Sequence, residues 1–341
     1  MCHNCYIIPK RILEKLEKEK KVKLVTKDLS ENFRKKRDAA LQRGRRFDSL
    51  LPGNGDRLVY DSGHSESQRV KLVRKEGQPS THDSDVNDAY NHAGVIRKYF
   101  RDQFHWNSID NHGMDEIFNV HLSVNYNNAF WDGDEMSFGD GDGIHFTGFA
   151  RAIDVLAHEL THGVVQYTAG LEYEGQPGAL NEHYADVFGS VIKQYHKRQD
   201  EVSADWLIGD DIMGPDLKGR AIRSMKDPGN TSVPLDPQPA NMSEYYNGED
   251  DNHGVHINSG IPNKAFYLVA MAIGTFSAGK LWFEALKKLH PKAQFTDLYL
   301  ALLKSIPKLI STDDLPPSAF QALNHAFSAV GIVSVSREMA Y

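Results

Sequence analysis

Thiols are almost absent from this chain of 341 residues: its two cysteines, Cys2 and Cys5, both fall within the first five positions. The rest of the sequence can hold no disulfide framework and no thiolate-built structural zinc site. No apolar run reaches the length of a membrane span, which excludes a transmembrane helix. The opening Met1-Cys2-His3-Asn4-Cys5-Tyr6-Ile7-Ile8-Pro9-Lys10 lacks the basic start and long apolar core of a secretory signal peptide. Aromatic residues are scarce among the first lysines and arginines, which argues against a surface for single-stranded nucleic acid. What is present suits a globular protein, and the length is enough for two lobes with cores of their own.

Charge is unevenly spread. Residues 1–50 carry 15 Lys/Arg against 7 Asp/Glu, a net of +8, while the remainder carries −15. A basic head on an acidic body can be a nucleic-acid arm or can dock on its own body. The second reading is preferred here. Within the head, Ile8, Ile12, Leu13 and Leu16 predict a short amphipathic helix after Pro9, and Leu29 to Leu41 predicts another. Arg43-Gly44-Arg45-Arg46 and Leu51-Pro52-Gly53-Asn54-Gly55 read as an exposed loop. Beyond it, Arg57 to Val73 alternates in short strands and Asp83 to Phe104 has helical spacing. Phe118 to Phe130 alternates as a strand. From Ile153 the chain is mostly helical, with an irregular stretch from Asp227 to His253.

Chemistry concentrates in two runs. In His158-Glu159-Leu160-Thr161-His162, set in an apolar helix-forming stretch, a spacing of four stacks both imidazoles on one helix face, where they can bind one metal ion. Glu159 lies beside the pair, placed to act on a water held by the metal. In Asn181-Glu182-His183-Tyr184-Ala185-Asp186, Glu182 can be the third ligand. Two histidines, one carboxylate and an open fourth position form a catalytic zinc arrangement. Asp186, one turn beyond Glu182, suits an outer carboxylate that orients a ligating histidine, and Asn181 belongs to the same run. A chance His-Glu-x-x-His in a solvated helix is the bland alternative; the second run weighs against it.

Together these runs resemble the thermolysin family of zinc metallopeptidases, within the gluzincins. Asn127-Asn128-Ala129-Phe130-Trp131 followed by Gly139-Asp140-Gly141-Asp142-Gly143 is similar to the family's edge strand and following loop. Ala169-Gly170-Leu171-Glu172-Tyr173 is similar to the segment with its active-site tyrosine, and Asp251 to Gly260 to the segment with its active-site histidine. The similarity runs from about Arg57 to about Gly331, and its nearest subgroup is the protealysin type with a short prosegment.

The resemblance implies an α+β fold of two lobes, the N-terminal one α+β and the C-terminal one mainly helical, with a zinc cleft between them. The implied divisions are a propeptide at 1–50, a catalytic lobe at 51–169 and a helical lobe at 170–341. It implies a neutral endopeptidase, made as a zymogen, that cuts before bulky hydrophobic residues. One zinc would sit on His158, His162 and Glu182. Glu159 would be the base, Tyr173 and His256 the donors to the developing charge, and Asp251 the partner of His256. Arg223 would hold a substrate carbonyl, and Asn128 and Ala129 would pair with extended substrate backbone. Phe146, Phe149, Val155, Ile208, Ile212 and Ile222 match pocket-lining positions. Its partners would be peptides, proteins and its own propeptide, with no nucleic acid or membrane; a secreted monomer is expected.

The resemblance thins at calcium. Asp154, Asp205 and Asp210 match positions of the family's double calcium site, but Lys193 and Leu207 replace two of its acidic residues. An ammonium group can neutralise those aspartates, so stability is expected to depend little on calcium, with at most a single weak ion near Asp154, Asp205 and Asp210. Latency needs something in the cleft: a thiolate of Cys2 or Cys5 on the zinc, or simply Tyr6-Ile7-Ile8. Two other classes of protein make distinct demands on the sequence. A silent peptide-binding relative should have lost Glu159 or a ligand, and none is lost. A nucleic-acid binder using the basic head predicts salt-sensitive polyanion binding that disappears with residues 1–50.

Overall fold

Strands come early and helices late, as the apolar spacing predicts. The computed structural model describes residues 5–20, 24–42 and 53–334, with backbone alone for 37–42. Cys2 and the Arg43–Pro52 exit lie outside the described residues. The chain forms two units, one of residues up to 167 together with 208–222, the other of 168–207 with 223 onward.

In the first unit, β1 (Cys5–Tyr6) is followed by α1 (Lys10–Lys20) and α2 (Thr26–Gln42). Ile12, Leu13 and Leu16 are the buried face of α1, as their spacing requires. Next come β2 (Arg57–Asp61), β3 (Lys71–Lys75), α3 (Ser84–Phe104), β4 (Glu116–Val120), β5 (Ala129–Trp131) and β6 (Met136–Phe138). Asp83 caps α3, its carboxylate accepting from the N–H groups of Asp85 and Val86. Six strands form one mixed sheet in the order β1-β5-β6-β4-β2-β3. Phe118 to Phe130 is not one strand but β4 and β5 with a loop between them. His121, Ser123 and Asn125 all take positive φ there, which no strand tolerates. α4 (Ile153–Gln166) is buried on every side from Ile153 to Val165. It packs against α3 and β5. Gly163 makes that approach possible: a Cβ there would stand 2.6 Å from Ile109 Cγ2 and 3.1 Å from the Trp131 ring.

The second unit is helical. α5 (Gly175–Lys197) runs through its centre, buried from Pro177 to Gln194. α6 (Asp250–Asn258), α7 (Gly260–Ile273), α8 (Thr275–Leu286), α9 (Phe295–Ser311) and α10 (Ala319–Ala329) complete it. The irregular stretch from Asp227 is present, relieved only by a single 3₁₀ turn at Met242–Glu244. Among the described residues no helix is long and apolar enough to cross a membrane.

Candidate active site

In the first unit the candidate residues lie on α4. His158 and His162, both fully buried, face each other with their Nε2 atoms 3.1 Å apart. Two imidazole lone pairs cannot share such a gap without a proton or a cation. Two nitrogens at about 2.0–2.1 Å from one tetrahedral zinc stand about 3.3 Å apart, so the pair fits that ion. Glu159, equally buried, points toward β5, where its Oε2 accepts the backbone N–H of Trp131 at 2.8 Å. A carboxylate held this way is oriented without being committed to a cation. The histidine period was legible in the sequence; the Trp131 amide was not, because it depends on how β5 lies against α4.

The strand expected at the sheet edge is not at the edge. β1 pairs with β5 antiparallel, Cys5 opposite Trp131 and Tyr6 opposite Phe130. The pairing continues as Ile7 N–H donates to Ala129 O at 3.2 Å and Ile8 N–H to Asn128 Oδ1 at 3.0 Å. Asn128 Nδ2 donates back to Ile8 O at 3.0 Å. Asn128 and Ala129, the residues expected to pair with substrate backbone, are thus occupied by the chain's own N-terminal segment. Tyr6 joins Phe33, Leu122, Tyr126 and Phe130 in one buried cluster, its ring 5.3 Å from that of Phe130. Thr26 Oγ1 accepts from Asn127 N–H at 2.8 Å. Against the expectation from net charge, ion pairs between head and body are peripheral: Lys36–Glu66 at 2.8 Å and Lys20–Asp216 at 3.4 Å are both exposed. Such pairs contribute little, and apolar burial holds the segment down. Cys5 Sγ lies within 4.8 Å of a His162 ring nitrogen, yet its sulfur belongs to a disulfide and is no thiolate in this state.

In the second unit, Tyr173 Oη donates to Glu182 Oε1 and lies 3.3 Å from His256 Nε2. His256 Nδ1 meets Asp251 Oδ1 at 2.6 Å, and its backbone N–H donates to Asp251 Oδ2 at 2.9 Å. Burial works against a charge on His256, but the Asp251 and Glu182 carboxylates prevail and raise it above its ordinary value. A local device makes this possible. Asp251, Asn252, His253 and Gly254 take φ values of 59°, 50°, 60° and 80°, a left-handed turn inside α6. Each non-glycine residue in that conformation costs about 1–2 kcal/mol, so packing must impose it. Gly178 lets α5 come close: a Cβ there would stand 2.4 Å from Val255 Cγ1. Asn181 reaches back to Leu171 O at 3.5 Å.

Arg223 is 1% exposed and clasps Asp186 with two bonds, Nε to Oδ2 at 2.9 Å and an Nη to Oδ1 at 2.8 Å. Asn263 Nδ2 also donates to Asp186 Oδ2, at 2.9 Å. His183 lies behind Asn263, fully buried, and burial lowers its pKa to about 4. Neither Asn263 nor His183 stood out in the sequence. Lys193, 2% exposed, donates to Asp205 Oδ1 at 3.3 Å and to Leu207 O at 3.1 Å. In the first unit Asp154 Oδ2 accepts from Gly209 N–H at 2.9 Å. These two carboxylates of the calcium-matching set therefore face N–H donors.

A facing histidine pair beside a buried, positioned glutamate is the equipment of a metallopeptidase, and both units bear the folds that accompany it. Residues 21–166 match the thermolysin metallopeptidase catalytic domain, and residues 169–332 its alpha-helical domain. An extracellular metalloprotease of Pectobacterium carotovorum subsp. carotovorum is 46% identical over 257 residues, 73% of this chain and 74% of that protein. Thermolysin of Bacillus caldolyticus is 38% identical over 264 residues, 74% of this chain but 46% of that longer protein. The solved precursor of protealysin from Serratia proteamaculans matches with a TM-score of 0.82 at 38% identity, covering 96% of this chain and all of that one. The chain is a metalloendopeptidase of the thermolysin family, of the protealysin-like kind.

Proposed function

We propose that this chain is the latent precursor of a zinc-dependent neutral endopeptidase that cuts before bulky hydrophobic residues. The observation that carries the latency is the added strand: residues 5–8 use the backbone of Ala129 and the carboxamide of Asn128, where an extended substrate would bind. The prosegment spans residues 1 to about 50, and its removal, near Phe47 to Asp56, frees β5. Autocatalytic cutting and export from the cell complete this reading, which the extracellular relative supports. The mature protein acts as a monomer on peptides and proteins.

His158, His162 and Glu182 would hold the zinc, which supplies Lewis acidity and a nucleophile at neutral pH. Glu159 takes the proton from the attacking water and delivers it to the leaving amine. The Tyr173 hydroxyl and the His256 imidazole donate to the charge growing on the carbonyl oxygen, and Asp251 keeps His256 oriented and charged. Arg223 holds a neighbouring substrate carbonyl while Asp186 holds Arg223. Asn181, beside Glu182, helps steady that part of α5.

One experiment tests latency and specificity together. Full-length protein, an Ile8→Pro variant and processed enzyme are given a peptide library, and products are read by mass spectrometry. Processed enzyme is expected to cut before Leu, Ile, Val or Phe. Ile8→Pro, which lacks the N–H donated to Asn128, is expected to be active sooner than the unaltered chain. Full activity of a chain that cannot be cut would overturn the latency, and cutting before Asp or Lys would overturn the specificity.

A further inference from the structure

Behind Arg223, a line of polar side chains crosses the apolar core of the second unit. Trp282 of α8, His183 of α5, Asn263 of α7 and Asp186 of α5 are each fully buried. Trp282 Nε1 donates to His183 Nε2 at 2.7 Å. His183 Nδ1 lies 2.7 Å from Asn263 Oδ1. Asn263 Nδ2 donates to Asp186 Oδ2 at 2.9 Å, and Arg223 closes on the same carboxylate.

The direction of this chain is determined at both ends, by a donor that cannot accept and a carboxylate that cannot donate. An indole N–H can only donate. His183 must therefore present a lone pair at Nε2, so its one proton sits on Nδ1, since an imidazolium would set two N–H groups against each other. Nδ1–H then donates to Asn263, which turns the oxygen of that carboxamide toward His183 and its NH₂ toward Asp186. A flipped carboxamide would put its C=O against a buried carboxylate and leave two acceptors facing each other. The Trp282 donor and the Asp186 acceptor demand the same orientation of every group between them. Buried polar chains that are fully satisfied rigidify their surroundings, whereas partly satisfied ones are costly.

We infer that Trp282, His183 and Asn263 are positioning residues for peptide hydrolysis: together they hold the Asp186 carboxylate, and through it the Arg223 guanidinium, in one orientation toward substrate. This rests on the reading of Arg223 as a substrate-carbonyl donor. A purely structural polar core would affect stability alone. A positioning chain also sets substrate affinity and leaves the chemical step and the metal in place.

The test joins a spectroscopic and a kinetic readout. In the unaltered protein labelled with ¹⁵N-histidine, the His183 signal, assigned by its loss in His183→Gln, is expected to be the neutral Nδ1–H tautomer at neutral pH. In Trp282→Phe it should stay Nδ1–H, because Asp186 still turns the Asn263 oxygen toward His183. For processed enzyme, Trp282→Phe should raise KM for a peptide substrate about 10-fold, with kcat within about twofold and zinc content unchanged. Asn263→Asp, which sets a second carboxylate against Asp186, should raise it further. An Nε2–H tautomer or an imidazolium in the unaltered protein overturns the proposal even if Trp282→Phe fails to fold. If Arg223→Lys leaves KM unchanged, the assignment of Arg223 falls and takes this inference with it. If Arg223→Lys raises KM while Trp282→Phe and Asn263→Asp do not, only this inference falls.

Discussion

The two units place their candidate catalytic residues by opposite means. In the first, His158, Glu159 and His162 sit on a regular helix, and spacing alone sets which face they share. In the second, His256 is aimed by four consecutive left-handed residues, a backbone that no periodicity predicts. Regular elements place side chains cheaply and visibly. Irregular ones do it through strain that the surrounding packing must hold, and they hide it from the sequence.

The largest expected effect belongs to the regular half. Glu159→Ala should retain zinc and lose at least about 10²–10⁴-fold in peptide hydrolysis, whereas His162→Ala should lose metal and activity together. Zinc analysis beside a casein assay distinguishes them, and near-native hydrolysis by Glu159→Ala would break the assignment of the base. On the irregular side, Asp251→Ala should cost about 10²-fold in kcat, because His256 loses both its orientation and the carboxylate that keeps it charged. A loss of less than about threefold would mean that the left-handed turn serves the fold and not the chemistry.

Smaller effects concern what holds each unit together. Lys193→Met should lower stability by about 1–3 kcal/mol, since it leaves Asp205 and the Leu207 carbonyl without their ammonium donor. Calcium added to chelator-treated, zinc-restored protein should leave the melting temperature of the unaltered chain in place; a strong rise would show that Lys193 does not replace the ion. The smallest expected effect is a pH dependence in the first unit. His121 lies 2.9 Å from both Asp83 and Asp140, with His64 and Asp85 also facing this group. The bond to Asp140 comes first among the causes that hold its pKa at about 9, above the ordinary 6.5. Because the folded value is the higher one, its stabilisation is complete below about pH 6.5 and disappears as pH rises through about 9. Melting curves across that window should fall for the unaltered protein and be flatter for His121→Gln.

Much of the molecule was legible beforehand for identifiable reasons. α1, α3 and α4 follow apolar spacing, and Asp83 marks the start of α3 by its capping chemistry. Alternation continues through the loop between β4 and β5, so the sequence pattern alone predicts one strand there. Nothing in the side chains announces that His121, Ser123 and Asn125 turn left-handed. Net charge predicts that the N-terminal segment docks by ion pairing, yet Tyr6, Ile7 and Ile8 dock by backbone pairing and aromatic burial.

What the sequence determined by itself was the chemistry available: a histidine pair one helical turn apart, a glutamate beside it, a second helix with Glu182 and Asp186, and a lysine where calcium carboxylates would be expected. These are local patterns, set by a period of 3.6 residues and by the charge of single side chains. Tertiary structure alone decided that β1 lies on β5, that the Trp131 amide holds Glu159, and that His183 joins Trp282 to Asn263 across a sequence separation of 19 residues. Each of these depends on backbone groups or buried dipoles brought together by packing. Backbone donors are the same at every position, so the letters of the chain cannot say which of them will meet.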